Sequence, residues 1–216
     1  MRKLFLVAGL TILVAVIFLT CNSLNGYCVD QKEIAKMFQS ANDAFRKQDF
    51  TTAMEYYNQI ISLDNKNTFA YVGLGHAYIH KGVFDKALEN FEKAISIDVN
   101  DSSAYSGLGS VYSQKGVFDK ALENFNKAIS LNANNAQAYL GLGNLYVQKR
   151  IPDKAIENYN RAISLSPNDV YAYYNLGSFY LSLDKQDLAS ETCKKLKSID
   201  KNLGDKLEKQ IQAAAK

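Results

Sequence analysis

The stretch Lys81-Gly-Val-Phe-Asp-Lys-Ala-Leu-Glu-Asn-Phe91 returns letter for letter as Lys115 to Phe125, 34 residues further on. Applying the same offset aligns Tyr71-Val-Gly-Leu-Gly75 with Tyr105-Ser-Gly-Leu-Gly109, Tyr139-Leu-Gly-Leu-Gly143 and Tyr173-Tyr-Asn-Leu-Gly177. Ala87, Ala121, Ala155 and Ala189 fall in register as well. A fixed period of this size marks stacked supersecondary units, none of which can bury its apolar face alone. Helical spacing places Tyr71, Leu74, Gly75 and Tyr78 on one side of a first helix, and Ala87, Phe91 and Ala94 on the facing side of a second. Gly75 removes a side chain where the two helices approach each other.

Aromatic, Leu-Gly, then Tyr in one helix, followed by Ala, aromatic and Ala in the next, resembles the tetratricopeptide repeat family. Tyr71, Leu74, Gly75, Tyr78, Gly82, Ala87, Phe91 and Ala94 carry the likeness in one unit, and Tyr105, Leu108, Gly109, Tyr112, Gly116, Ala121, Phe125 and Ala128 in the next. Four units are clear: Thr68 to Asp101, Ser102 to Asn135, Ala136 to Asp169, and Val170 to Leu203. A fainter one, Ile34 to Asn67, keeps Ala53 and Tyr57 but has Met37, Ser40 and Ala41 in place of Tyr, Leu and Gly. The resemblance implies an all-α fold, a right-handed superhelical solenoid of antiparallel helix pairs with about five units. Residues 204–216 then form a capping helix, because Leu203, Leu207 and Ile211 recur every fourth residue among charged neighbours. A membrane-surface helix is the alternative for that stretch, and its short stripe and mixed charges disfavour it.

Residues 1–21 stand apart. Arg2 and Lys3 precede an uncharged run from Leu4 to Thr20, too uniformly apolar for an amphipathic solenoid helix. The run is an export signal or an N-terminal membrane anchor, and the leading positive charges orient the remainder outside the cytoplasm. Cys21, directly after it, stands where a bacterial lipoprotein carries its lipid. Cleavage between Cys21 and Val29, or retention as an uncleaved anchor, are the alternatives. Residues 22–33 read as a linker and the start of the first helix, with Asp30 and Glu33 spaced as a capping box. An extracytoplasmic, periplasmic or envelope location follows.

The 216 residues carry a formal charge of +3, too little for a nucleic-acid field. No phosphate loop, zinc-type cysteine pairing or nucleophile elbow is present in the sequence, so neither catalysis nor a cofactor is expected. The acids and capping amides have structural work: Asn67, Asp101, Asn135 and Asp169 precede first helices as caps, and Asp85, Asp119, Asp153 and Asp187 open second helices. Gly82 and Gly116 mark the intervening turns, where Arg150 and Asp184 stand in later units. His76 and His80 lie one turn apart, but two ligands do not make a metal site. Cys193 aligns with Phe91, Phe125 and Tyr159 and is expected in the core. Cys28 is too far from it in a solenoid to form a disulfide.

What remains is surface. The resemblance places an inner, concave groove on the side of the first helices opposite their packed face. Its candidate lining is Phe38, Asn42, Phe69, Val72, His76, Ser106, Ser110, Leu140, Asn144, Tyr171, Tyr174 and Ser178, aromatic at both ends and neutral between. Family members that clamp a terminal carboxylate use Lys and Arg there, whereas here only Arg46 is available. The partners implied are other proteins or peptides, with the membrane met only through the N-terminal segment. Envelope proteins of the family act as assembly factors, so the expected function is a non-enzymatic scaffold in a bacterial cell-envelope complex. A self-assembling structural protein, or an accessory subunit binding a glycan or other small ligand, are the alternatives.

Overall fold

The computed structural model describes residues 31–214. The expected N-terminal signal or anchor, Cys21, Cys28 and Asp30 lie outside them. Eleven α-helices fill the described chain: α1 (Gln31–Arg46), α2 (Phe50–Leu63), α3 (Thr68–His80), α4 (Phe84–Ile97), α5 (Ser102–Gln114), α6 (Phe118–Leu131), α7 (Ala136–Gln148), α8 (Pro152–Leu165), α9 (Val170–Ser182), α10 (Gln186–Ile199) and α11 (Lys201–Ala214). They form five antiparallel pairs and a terminal helix, an all-α, right-handed superhelical solenoid.

Caps set each pair. Asp101 Oδ1 accepts from the backbone N–H groups of Ser103 at 2.9 Å and Ala104 at 3.0 Å, and Asn67, Asn135 and Asp169 act alike on α3, α7 and α9. The second helices α4, α6, α8 and α10 have no side-chain cap; Asp85, Asp119, Asp153 and Asp187 lie in their first turns instead. Pro152 occupies the first turn of α8, where its missing N–H costs nothing. Between the helices of each pair one residue adopts left-handed φ. Gly82 (72°) and Gly116 (74°) do so freely, but Gln48 (61°), Arg150 (58°) and Asp184 (58°) hold the same turn at a cost of about 1 kcal/mol each. The glycine's replacement therefore leaves the turn unchanged and stores modest strain in it.

The two central seams are each closed by a ring held between two glycines. Phe91 of α4 is fully buried, and a Cβ added at Gly75 of its own first helix would lie 2.7 Å from its ring. Gly107 of the next first helix presses still closer on the other side. Phe125 is held in the same way by Gly109 and Gly141. The bare backbone thus lets three helices share one aromatic side chain, which joins a unit to its successor. Tyr57 and Tyr159 occupy the same register in the first and fourth units and lean on Gly73 and Gly143.

The fifth unit breaks the pattern, and the terminal helix completes it. Cys193 replaces the ring, and Leu207 of α11 is fully buried against the space over Gly177, where an added Cβ would meet its Cδ2 at 2.6 Å. Cys193 is a core thiol whose Sγ donates to the Gly204 carbonyl at 3.3 Å. Burial pushes the Cys193 thiol up from its ordinary pKa. The expected cap therefore exists, but it begins at Lys201 rather than at residue 204. Asp200 explains the shift: its N–H bonds the Leu196 carbonyl at the end of α10 while its side chain accepts from Leu203 N–H, so no longer loop intervenes. Lys197 then pins α11 through Asp205 at 3.1 Å and Glu208 at 2.7 Å.

The ring-and-glycine seam makes a direct prediction. Gly107→Ala, which forces a methyl into the Phe91 ring, should destabilise the protein by about 1–3 kcal/mol in urea unfolding, as overpacking does. A loss below about 0.5 kcal/mol would show that the seam is loose.

Candidate functional site

The first helices form the inner layer: α3 touches α5, α5 touches α7, α7 touches α9, and α9 touches α11. Each second helix lies outside, wedged between its own first helix and the next. The packed face of α3 turns toward α4, while Phe69, near the start of the same helix, stays exposed.

The candidate residues separate into three groups. Val72, Ser106 and Leu140 are buried, Ser106 being only 1 % exposed with its hydroxyl donating to the Ser103 carbonyl at 2.9 Å. This corrects their assignment as groove-lining contacts: the register they share is where neighbouring first helices meet, and helix contact consumes it. Phe38, Tyr174 and His76 are half-buried, with one face in the core. Phe38 tilts onto Tyr57 at 6.3 Å, Tyr174 lies under the Lys206 ammonium at 5.3 Å, and His76 sets an edge against Phe91 at 5.2 Å. Asn42, Phe69, Ser110, Asn144, Tyr171 and Ser178 retain surface. Ser110 donates to the Ser106 carbonyl at 3.0 Å, and Ser178 lies 3.5 Å from Gln210 of the cap.

Enclosure of the His76 ring lowers its pKa to about 4, so the imidazole is neutral at ordinary pH. The second, smaller cause is the neighbouring His80. His80 turns away from its neighbour and stacks on Phe50 at 4.6 Å, with Phe45 edge-on at 5.2 Å. Burial lowers its pKa too. The two imidazoles thus pack on separate aromatic rings rather than converging on a common point. Among the described residues no group of three His, Cys, Asp or Glu is arranged to hold a metal ion.

Two residues not anticipated from sequence, Tyr159 and Asn175, join the candidate Asn144 in the polar centre. The Tyr159 hydroxyl donates to Asn144 Oδ1 at 2.7 Å, and Asn175 Nδ2 donates to the same oxygen at 3.0 Å. Burial holds the Tyr159 phenol far above its ordinary pKa, so it remains a donor. Asn175 occupies the register of Gly73, Gly107 and Gly141. A signal for this arrangement was present in the repeats. Where the second helix carries Tyr, as at Tyr57 and Tyr159, the first helix carries Asn42 or Asn144; beside Phe91 and Phe125 stand His76 and Ser110. The hydroxyl needs an acceptor, and the ring does not.

Across the registers of Phe69, Val72, His76 and His80 in the four clear units, every residue is uncharged. At the N-terminal end Arg46 is 3.7 Å from Asp43. The cations instead decorate the outside, where Lys115 meets Asp85 at 2.8 Å and Lys149 meets Asp119 at 4.0 Å between successive units. Such exposed pairs contribute about 0.2–1 kcal/mol each.

Family models described as TPR repeat match residues 75–116, 110–149 and 153–184, and one described as tetratricopeptide repeat matches 44–67 and 170–203. The crystal structure of MamA is 30% identical over 75% of this chain and 95% of its own, with a TM-score of 0.52. The chain belongs to the tetratricopeptide repeat family. That family is generally a non-catalytic, protein-binding scaffold. TTC0263, a thermophilic TPR protein of Thermus thermophilus, shares the fold more closely at 19% identity, with a TM-score of 0.74 over 84% of this chain and 98% of that one. YrrB, described as a TPR protein with an unusual peptide-binding site, is 24% identical over 80% of this chain and 90% of its own, with a TM-score of 0.51. A solenoid amplifies small rotations per unit into large differences of curvature, so similarity in sequence and in overall shape need not run parallel. No curated protein matches the chain.

A double-mutant cycle tests the polar centre. Tyr159→Phe alone should cost about 1 kcal/mol and Asn144→Ser a similar amount, whereas the combination, which recreates the Phe and Ser pairing of Phe125 and Ser110, should recover part of the loss. Strict additivity in thermal or urea unfolding would contradict the pairing.

Proposed function

We propose that the protein is a non-enzymatic scaffold that grips segments of partner proteins along its concave face and helps to assemble a complex of the bacterial cell envelope. The observation that carries the groove reading is the inner surface itself: it is preformed by the stacked first helices α3, α5, α7 and α9, is uncharged through the clear units, and offers aromatic and amide groups with retained surface. A preformed surface removes the ordering cost on the scaffold's side of binding. With no free cation among those registers, recognition proceeds by shape, apolar contact and hydrogen bonds. A terminal carboxylate finds no counter-charge there.

The envelope part rests on Arg2 and Lys3 before the run Leu4 to Thr20, which supports export or anchoring, with Cys21 available for lipid. Among the described residues no helix is long and apolar enough to cross a membrane, so the proposal assigns membrane contact to the N-terminal segment.

The groove is tested with full-length protein carrying Asn144→Asp and Ser178→Asp. The carboxylate introduced at position 144 keeps an acceptor for Tyr159 and Asn175 but puts charge into the neutral channel. Cross-linked partners recovered by the unaltered protein from its own cells should be lost, with circular dichroism unchanged. Full retention would move the interaction to the outer helices.

Export is tested separately by fusing, at Lys216, a phosphatase that is active only outside the cytoplasm. Activity is expected, and an inactive fusion of normal abundance would overturn the location.

A further inference from the structure

Phe69 and Tyr171 are the only exposed Phe or Tyr side chains among the described residues, at 75% and 63% of their free surface. Every other Phe and Tyr of the repeats is at least half withdrawn into a seam, and the hydrophobic effect gives good reason for that. The two exceptions are not scattered. They occupy the same register, the second residue of α3 and of α9, three periods of 34 residues apart. Between them the same register carries Ser103 and Gln137, both exposed and both uncharged. One rim of the concave face therefore presents aromatic, small polar, amide, aromatic, in a straight succession of units.

We infer that Phe69 and Tyr171 are two anchor points for one extended, uncharged partner segment, which inserts an apolar side chain at each and spans Ser103 and Gln137 with neutral polar residues. This rests on the groove reading above and specifies its ligand. The spacing follows from helix packing. Contacting helices lie about 8–10 Å apart, so three steps along the inner layer cover about 24–30 Å. An extended chain rises about 3.3 Å per residue, which places the two anchors about seven to nine residues apart. Side chains of an extended chain alternate between faces, so only an even separation turns both anchors to the same rim, and eight is the separation that satisfies both conditions. The lack of charge in the neighbouring registers adds a second requirement: a charged spacer would lose hydration without gaining a partner. Binding is therefore insensitive to salt.

The test uses full-length protein and a series of capped, fluorescein-labelled peptides of Ser, Asn, Gln and Thr carrying Leu at one position and Phe at another, separated by four, six, eight, ten or twelve residues. Fluorescence anisotropy should give the tightest binding at eight, at least tenfold tighter than at four, with less than a twofold change between 50 and 500 mM salt. Phe69→Ser or Tyr171→Ser should each weaken the eight-spaced peptide at least tenfold, to the level of a peptide with one anchor, and neither exposed substitution should alter unfolding. A flat response to spacing, a steep salt dependence or no binding at all would overturn the inference. Binding that is flat in spacing yet lost on Asn144→Asp would sink the paired anchors alone and leave the groove reading standing. Concentration-dependent self-association abolished by Phe69→Ser would assign the rim to a second copy of the chain, and a photo-cross-linker at position 69 that captures residues 4–20 of its own chain would assign it to that segment; either overturns the inference.

Discussion

A single aromatic ring wedged between two bare stretches of backbone is the contact on which this solenoid depends. Phe91 touches its own first helix at Gly75 and the following one at Gly107, and Phe125 repeats the arrangement with Gly109 and Gly141. Because the same ring serves two interfaces, intra-unit and inter-unit packing cannot be separated: a unit that lost its successor would expose one flank of the ring that closes its own core. That coupling explains why repeats of this kind are stable only in a stack. It also explains the terminal helix. The fifth unit has no successor, so it carries Cys193 in place of the ring, and Leu207 of α11 fills the vacated space while Lys197 clamps the helix by two carboxylates.

The geometry that secures the seams also divides labour between the faces. Glycines and rings consume one side of α3, α5 and α7, and the register of Val72, Ser106 and Leu140 is consumed by contact between neighbouring first helices. Only a narrow set of positions is left to face the groove. Those positions hold no charge in the clear units, whereas the Lys and Asp ladder runs along the outside. The protein thus keeps its solvated charges on the outside and leaves a low-charge channel along the first helices.

Within that channel the substitutions that break the repeat are the informative ones. Asn175 stands where the other units have glycine, and together with the Tyr159 hydroxyl it occupies the Asn144 oxygen. With its oxygen held by two donors, the Asn144 side chain is fixed in orientation. The N-terminal end is organised differently, with His80 stacked on Phe50 and neutral His76 against Phe91. One scaffold therefore offers an aromatic end and an amide centre without any change in backbone.

The amino-acid sequence by itself determined the period, the helix pairing, the caps and the existence of the terminal helix, because each is a local or strictly repeated relation: Asp101 before α5, Gly116 in a turn, the stripe of Leu203, Leu207 and Ile211. It also placed Cys193 correctly in the core, since a residue aligned with three buried rings inherits their position. Only the tertiary structure decided which groove candidates are accessible. Helical phase puts Val72, Ser106 and Leu140 on the same broad side as Phe69 and Asn144, but the approach of neighbouring first helices buries the former and spares the latter, and no single helix encodes that distance. The start of α11 at Lys201, three residues ahead of residue 204, was likewise a tertiary matter. One aspartate serves both as the end of α10 and the cap of α11, and that economy becomes visible only when Leu207 must reach the space that Cys193 leaves.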